Sequence, residues 1–201
     1  VTGVQTCALP ISQLEALTLP DSLTTIGEGA LDGLTGLKKL VIQCDPAIIP
    51  AGVFANLPAL SDVTVEFGEI PAHMFEGSGV TVLTLGAGVT EIGDSAFANT
   101  ALTSAEMQNV TAIGAGTFAN TALTSAEIQN VTAIGAGAFE GSALERVQLN
   151  AAASVGERAF ANTKLTKMVI PTAGSFPLSA VEGTSAELRL PADATDEIGR
   201  A

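Results

Sequence analysis

Thr100–Asn120 reads TALTSAEMQNVTAIGAGTFAN, and Thr121–Glu140 at once reads TALTSAEIQNVTAIGAGAFE. A segment this short cannot bury a core alone, so copies in tandem must cover one another's apolar faces. The pattern extends well beyond the twin copies. Aligned on the apolar residue that opens each unit, the chain divides at Leu14, Leu37, Leu60, Val80, Leu102, Leu123, Leu144, Leu165 and Ser185. The intervals are 23, 23, 20, 22, 21, 21, 21 and 20 residues. A nearly fixed period in this range predicts a solenoid.

Each unit opens with apolar residues at its first, fourth and sixth positions, as in Leu144, Val147 and Leu149 or Leu165, Met168 and Ile170. Positions four and six alternate with polar neighbours, which predicts a short strand with one buried face. The period leaves room for the chain to return to the same side, so successive strands should pair in parallel.

The second half of each unit carries its own punctuation. An apolar residue precedes Gly or Pro nine times, from Ile26-Gly27 through Ile70-Pro71 and Ile113-Gly114 to Ile198-Gly199. Gly or Pro there suits a sharp bend out of extended chain and into a helical turn. Four or five residues later stands one large apolar residue: Leu31, Phe54, Phe75, Phe97, Phe118, Phe139, Phe160 or Val181. Six of the eight Phe occupy this column, which is read as a core spine rather than a ligand cleft. Two residues further on comes Gly33, Asn56, Gly77, Asn99, Asn120, Gly141, Asn162 or Gly183. Gly and Asn tolerate a left-handed backbone, so this column should end a short helical turn. At a strand spacing of about 4.8 Å, eight stacked units would extend roughly 40 Å.

Two stretches depart from the pattern. Val1–Ile11, VTGVQTCALPI, has neither charge nor repeat. All eleven of its residues resemble the forward translation of a common sequencing-library adapter. Residues 1–12 are therefore set aside as a non-native segment, leaving residues 13–201 as a single repeat domain of about eight complete units and a truncated ninth. A degenerate signal peptide is the competing reading, but a basic n-region and a sufficient apolar stretch are missing. On the adapter reading, the natural N-terminus lies elsewhere. The ninth unit, SAELRLPADATDEIGRA, stops where the Phe column is due, which also reads as truncation. The expected state is a monomer, with end-to-end association as the hazard of uncapped ends.

The units Leu14–Leu37, LEALTLPDSLTTIGEGALDGLTGL, and Val80–Leu102, VTVLTLGAGVTEIGDSAFANTAL, follow a pattern LxxVxLPxSVTxIGxxAFxGxxL almost throughout. In this the chain resembles the BspA-like, or treponemal-type, leucine-rich repeats, from Leu14 to Ala201. The resemblance implies a leucine-rich-repeat solenoid: a curved array with a concave parallel sheet and short strands or single helical turns on the convex side. It implies bacterial cell-surface or secreted proteins, many of them adhesins or host-interaction proteins. It supplies no catalytic residues and no shared ligand motif. Family members often carry Cys after the Gly of the stop; this chain has Asn-Thr or Gly-Ser there, a structural departure.

Composition narrows the partners. With 21 acidic and 8 basic residues the formal net charge is −13. Nucleic acid or an anionic membrane would need clustered Lys and Arg, and only Lys38 and Lys39 are adjacent. The acidity itself fits solubility or an acidic binding face. No stretch of 18 apolar residues is present to span a membrane. Cys7 and Cys44 do not make a disulfide framework, and Cys44 reads as a buried thiol. Trp and Tyr are absent, which removes the commonest binding anchors.

No catalytic or metal-binding constellation stands out, and no cofactor is implied. His73 is the lone histidine and reads as a surface or packing residue. Gly27–Gly33 has the wrong spacing for a dinucleotide loop, and Asp193–Glu197 lacks a full calcium-loop pattern. Asn109 and Asn130 each open an NVT triplet, one repeat position copied once, and carry no assignment.

If the strands line the concave side, their outward residues form columns. Position three reads Ala16, Lys39, Asp62, Val82, Ser104, Ser125, Arg146, Lys167 and Glu187. Position five reads Thr18, Val41, Thr64, Thr84, Glu106, Glu127, Gln148, Val169 and Arg189. Position seven adds Gln43, Glu66, Gln108, Gln129 and Asn150. The candidate face is Ser104, Glu106, Gln108, Ser125, Glu127, Gln129, Arg146, Gln148 and Lys167. Such a strip suits a protein or glycan ligand, and is equally what a solvated sheet face looks like. The expected role is a non-catalytic binding module; a spacer array that projects another domain is the alternative, and an enzyme's targeting arm a third reading.

Overall fold

The structure is a computed structural model that describes residues 11–27, 29–150, 153–169, 171 and 175–189. Most of the adapter-like segment, and Asp193–Glu197, lie outside the described residues. The strands are β1 (Ala16–Leu19), β2 (Lys39–Ile42), β3 (Asp62–Ile70), β4 (Val82–Ile92), β5 (Ser104–Glu106), β6 (Ala112–Ile113), β7 (Ser125–Ile128), β8 (Ala133–Ile134), β9 (Arg146–Leu149), β10 (Ser154–Val155), β11 (Lys167–Val169) and β12 (Glu187–Arg189). Every pairing is parallel.

The units stack through three rows of bonds between successive turns of a β-solenoid. The first row runs β1-β2-β3-β4-β5-β7-β9, with β11 and β12 paired beyond it. The second runs from the end of β4 through β6 and β8 to β10. There Ile92, Ile113, Ile134 and Val155 stand in register, after Ile70. In this row each Gly donates its N–H to the Ile carbonyl of the preceding unit: Gly93 to Ile70, Gly114 to Ile92, Gly135 to Ile113 and Gly156 to Ile134, each at 2.8 Å. The glycines follow from this stacking rather than from a bend. A Cβ on Gly114 would meet the Asp94 side chain and backbone at 2.5–2.6 Å, and one on Gly93 the backbone of Ala72 at 2.7 Å.

The third row is the Phe column. The rings of Phe54, Phe75, Phe97, Phe118, Phe139 and Phe160 are fully buried and stacked, with centroids 5.1–5.9 Å apart and planes within 19°. Such spacing suits offset stacking. The backbone stacks with the rings, since the N–H groups of Phe97, Phe118 and Phe139 donate to the carbonyls of Thr117, Ala138 and Ala159 in the next unit, at 2.7–2.9 Å. The core is the inside of this three-rowed tube, lined by positions one, four and six, the Ile row and the rings.

One expectation needs correction. Among the described residues, a single helical turn at this column occurs only in the 3-10 segment Leu178–Val181; Phe54 through Phe160 lie in tandem β-turns. A helical turn closes bonds within itself, whereas here alternate N–H groups are aimed at the neighbouring unit. The left-handed column does hold. Gly33, Asn56, Gly77, Asn99, Asn120, Gly141, Asn162 and Gly183 all have φ between 54° and 80°. A second left-handed position, four residues earlier, is occupied by Gly29, Gly52, His73, Ser95, Gly116, Gly137 and Arg158. Two left-handed residues per unit turn the chain tightly enough to keep it from helix. Where the family pattern carries Cys, Ser78, Thr100, Thr121 and Thr163 are buried and donate their hydroxyls to the carbonyl three residues back, at 2.6–2.9 Å.

Candidate functional site

The first strand row has one face in the core and one in solvent. Ala105, Met107, Ala126, Ile128 and Met168 point inward and are buried. Their neighbours Ser104, Glu106, Ser125, Glu127, Arg146, Gln148 and Lys167 are exposed, as period-two alternation requires. The ladder brings the predicted columns into register. Ser104 lies beside Ser125, and Ser125 beside Arg146; Glu106 lies beside Glu127, and Glu127 beside Gln148. Lys167 continues the first column but pairs with Glu187 in the following strand, not with β9.

Gln108 and Gln129 are exposed just past the strands, at the corner toward the second row. Their carbonyls are fixed by asparagines of the next unit: Asn130 Nδ2 donates to Gln108 at 2.5 Å and Asn150 Nδ2 to Gln129 at 2.8 Å. The corner is thus held by side-chain amides, and the Gln side chains extend from a defined backbone. The asparagine of one NVT triplet is engaged here.

The charges are unevenly placed. Lys38 bonds Glu15 at 2.7 Å, Lys39 bonds Asp62 at 3.0 Å, and Arg189 reaches Glu187 at 3.2 Å. On the turn row, Arg158 clamps Glu140 at 2.7 Å and Glu182 at 2.5 Å. The hydrogen bonds to Glu140, with the charge of both carboxylates, raise the Arg158 pKa above its ordinary value. The remaining described cations, Arg146, Lys164 and Lys167, enter no ion pair among the described residues. All three line one open depression of about 390 Å³, together with Thr166 and Glu145. Lys164 and Thr166 are absent from the sequence-derived strip. The signal was available, because Lys164 stands just before the strand that carries Lys167, but its side was decided only by the chain's approach to β11.

The other candidates are structural. Cys44 is fully buried, and burial raises its thiol pKa. His73 is exposed at φ 58°, with Nδ1 2.7 Å from Glu76 Oε2. Among the described residues no three His, Cys, Asp or Glu side chains gather where a metal ion could be held.

The sequence matches the profile of the BspA type leucine rich repeat region, in six copies, over residues 4–103 and 68–183. The fold is similar to the crystal structure of a leucine-rich repeat protein from Bacteroides ovatus ATCC 8483, at 16% identity and a TM-score of 0.55. The match covers 89% of this chain and 66% of that protein, so the chain spans just under two thirds of its length. At that identity the likeness is one of fold alone. No curated protein matches the sequence.

Proposed function

Because the chain belongs to the BspA-type leucine-rich repeat family, we propose that it is a non-catalytic module that binds a protein or glycan on the outer face of its first strand row. In this reading it is part of a bacterial cell-surface or secreted protein and serves adhesion or host interaction. One observation carries the reading. Six of the nine candidate residues stand on three adjacent paired strands, exposed, over a sheet whose opposite face is closed core. A backbone ladder fixes the spacing at which these donors and acceptors stand, so the strip offers an ordered array with no backbone ordering to be done on binding. The acidic balance weighs against nucleic acid as partner.

The test is a paired screen of immobilised extracellular proteins and oligosaccharides. It compares the intact chain with a Glu106→Ala/Glu127→Ala/Gln148→Ala variant. The expected result is at least one interaction that the variant loses while its thermal unfolding is unchanged. If every interaction survives this triple substitution along the central column, the face is only a solvated surface. The twin units favour a second reading, a spacer, since their copied faces are nearly indistinguishable. A spacer tolerates deletion of residues 102–122 with binding intact; a module that uses this face does not.

A further inference from the structure

Among the described residues, the unpaired cations of this acidic chain are gathered at one place beside the proposed face. Of the seven described Lys and Arg, four are neutralised by carboxylates on neighbouring turns or on their own strand. The other three, Arg146, Lys164 and Lys167, line the same depression, where Glu145 is the one acidic group among five lining residues. A second observation marks this place. The first row pairs strand to strand without a break from β1 to β9, and then stops: β11 pairs with β12 and not with β9. The depression lies across that break. Glu145 also lines the depression, but none of the three cations is ion-paired among the described residues, so an anionic group entering there meets three unpaired positive charges.

The rest of the strip decides what kind of anion. One and two strands from Arg146 along the row stand Glu127 and Glu106, side by side in register. At a strand spacing of about 4.8 Å, the Glu127-to-Lys167 distance along the array is on the order of 10 Å. A uniformly charged polymer lying along the row would be attracted at one end and repelled at the other. A peptide in the polyproline II conformation with an acidic and a basic side chain three residues apart matches both ends, since three residues make one turn of about 9 Å and bring both side chains to the same face. No Trp or Tyr is present to stack against a sugar ring.

We propose that the Arg146–Lys164–Lys167 depression seats an acidic side chain of an extended, mixed-charge peptide segment whose basic side chain lies against Glu106 and Glu127. This rests on the reading of the strand face as a binding surface, and names its ligand class. Arg146 supplies the planar, two-pronged donor for a carboxylate, and the two lysines supply charge. Binding should weaken with added salt, because every contact of this kind is solvent-facing.

The experiment is selection of a random linear dodecapeptide library on the intact 201-residue chain. The selected peptides are then titrated against variants. The expected outcome is enrichment of Asp or Glu about three positions from Lys or Arg. Affinity should fall roughly tenfold in Arg146→Ala/Lys164→Ala/Lys167→Ala and be unchanged in Lys38→Ala/Lys39→Ala. Binders that lack the acidic residue, or that ignore the triple substitution, overturn the peptide seat and leave the binding-module reading standing. Capture of acidic oligosaccharides alone overturns the peptide ligand while the face survives as a binding surface. No binder of either kind, with the chain folded by circular dichroism, overturns both.

Discussion

The joint between β3 and β4 and the joint between the twin units solve the same problem differently. In the twins, the fourth-position residue and the Ile-row residue are eight apart, Ala105 to Ile113 and Ala126 to Ile134. Two short strands are separated by a turn, with Val110 N–H bonded to the Met107 carbonyl and Val131 N–H to that of Ile128. In β3 the corresponding separation is seven, Val63 to Ile70, and in β4 it is nine, Leu83 to Ile92. Here the chain runs as continuous strands through the corner, and the mismatch of two residues is absorbed by two register shifts, at Val65/Phe67 and Gly68/Glu69. Gly86 and Gly88 allow it, because a Cβ there would meet the Glu66 carbonyl oxygen or, at 2.5 Å, Phe67 Cβ. Past the corner the metric is constant: five residues from Ile to the Phe column and two more to the left-handed stop in both regions. The solenoid tolerates length variation at one corner because its other two rows are fixed by stacked rings and by glycines in backbone contact.

If the Phe row is common to both regions, its members should be energetically alike. Phe118→Ala in the twins and Phe75→Ala beside the bulged joint should each cost about 3–5 kcal/mol, read from urea unfolding. A cost confined to one of them would break the comparison. Next comes the corner itself. Deleting residues 102–122 leaves a nine-residue corner against an eight-residue one, as in the intact chain, whereas deleting 80–101 sets seven against eight. The second deletion should lose about 1–3 kcal/mol more, the usual cost of repacking a strained interface; equal midpoints would show that the joints are interchangeable.

Smaller effects sharpen the same contrast. Gly114→Ala should cost about 1–3 kcal/mol from overpacking. Gly27→Ala, with nothing within 4 Å of the added Cβ, should be neutral. Thermal unfolding of the pair checks that the glycine column answers to the preceding unit. Ser95 occupies a left-handed position, φ 53°, that both twin units fill with Gly116 and Gly137. Ser95→Gly should therefore gain up to about 1 kcal/mol; a loss would mean that the hydroxyl is needed.

The smallest effect is at Cys44. Burial raises its folded pKa, so its contribution to stability is full below the unfolded thiol pKa and fades as pH rises through the folded value. In a Cys7→Ser background the native thiol should resist Ellman's reagent near neutral pH and react only on unfolding. Rapid labelling would show the second unit opening locally.

The strip was legible in the sequence to the extent that alternation fixes which side of a strand is wet. Ser104, Ser125 and Arg146 had to share a column once the period was known. Lys164 was not legible, because it precedes its strand and no alternation rule applies there. The break between β9 and β11 was equally hidden: the unit that Leu144 opens, which leads from β9 to β11, has the same 21-residue length as the twins.

By itself, the sequence determined the stacking, the parallel rows, the ring column and the left-handed stop. Each follows from a local rule repeated at a fixed interval, and repetition adds those weak preferences in phase. Only the tertiary structure decided that the ring column sits on β-turns rather than helical turns. There a backbone N–H chooses between a partner in its own turn and one in the next unit, and that choice exists only once the units are stacked. The same holds for the three cations in one depression, whose neighbours are set by the approach of two chain segments a full turn apart.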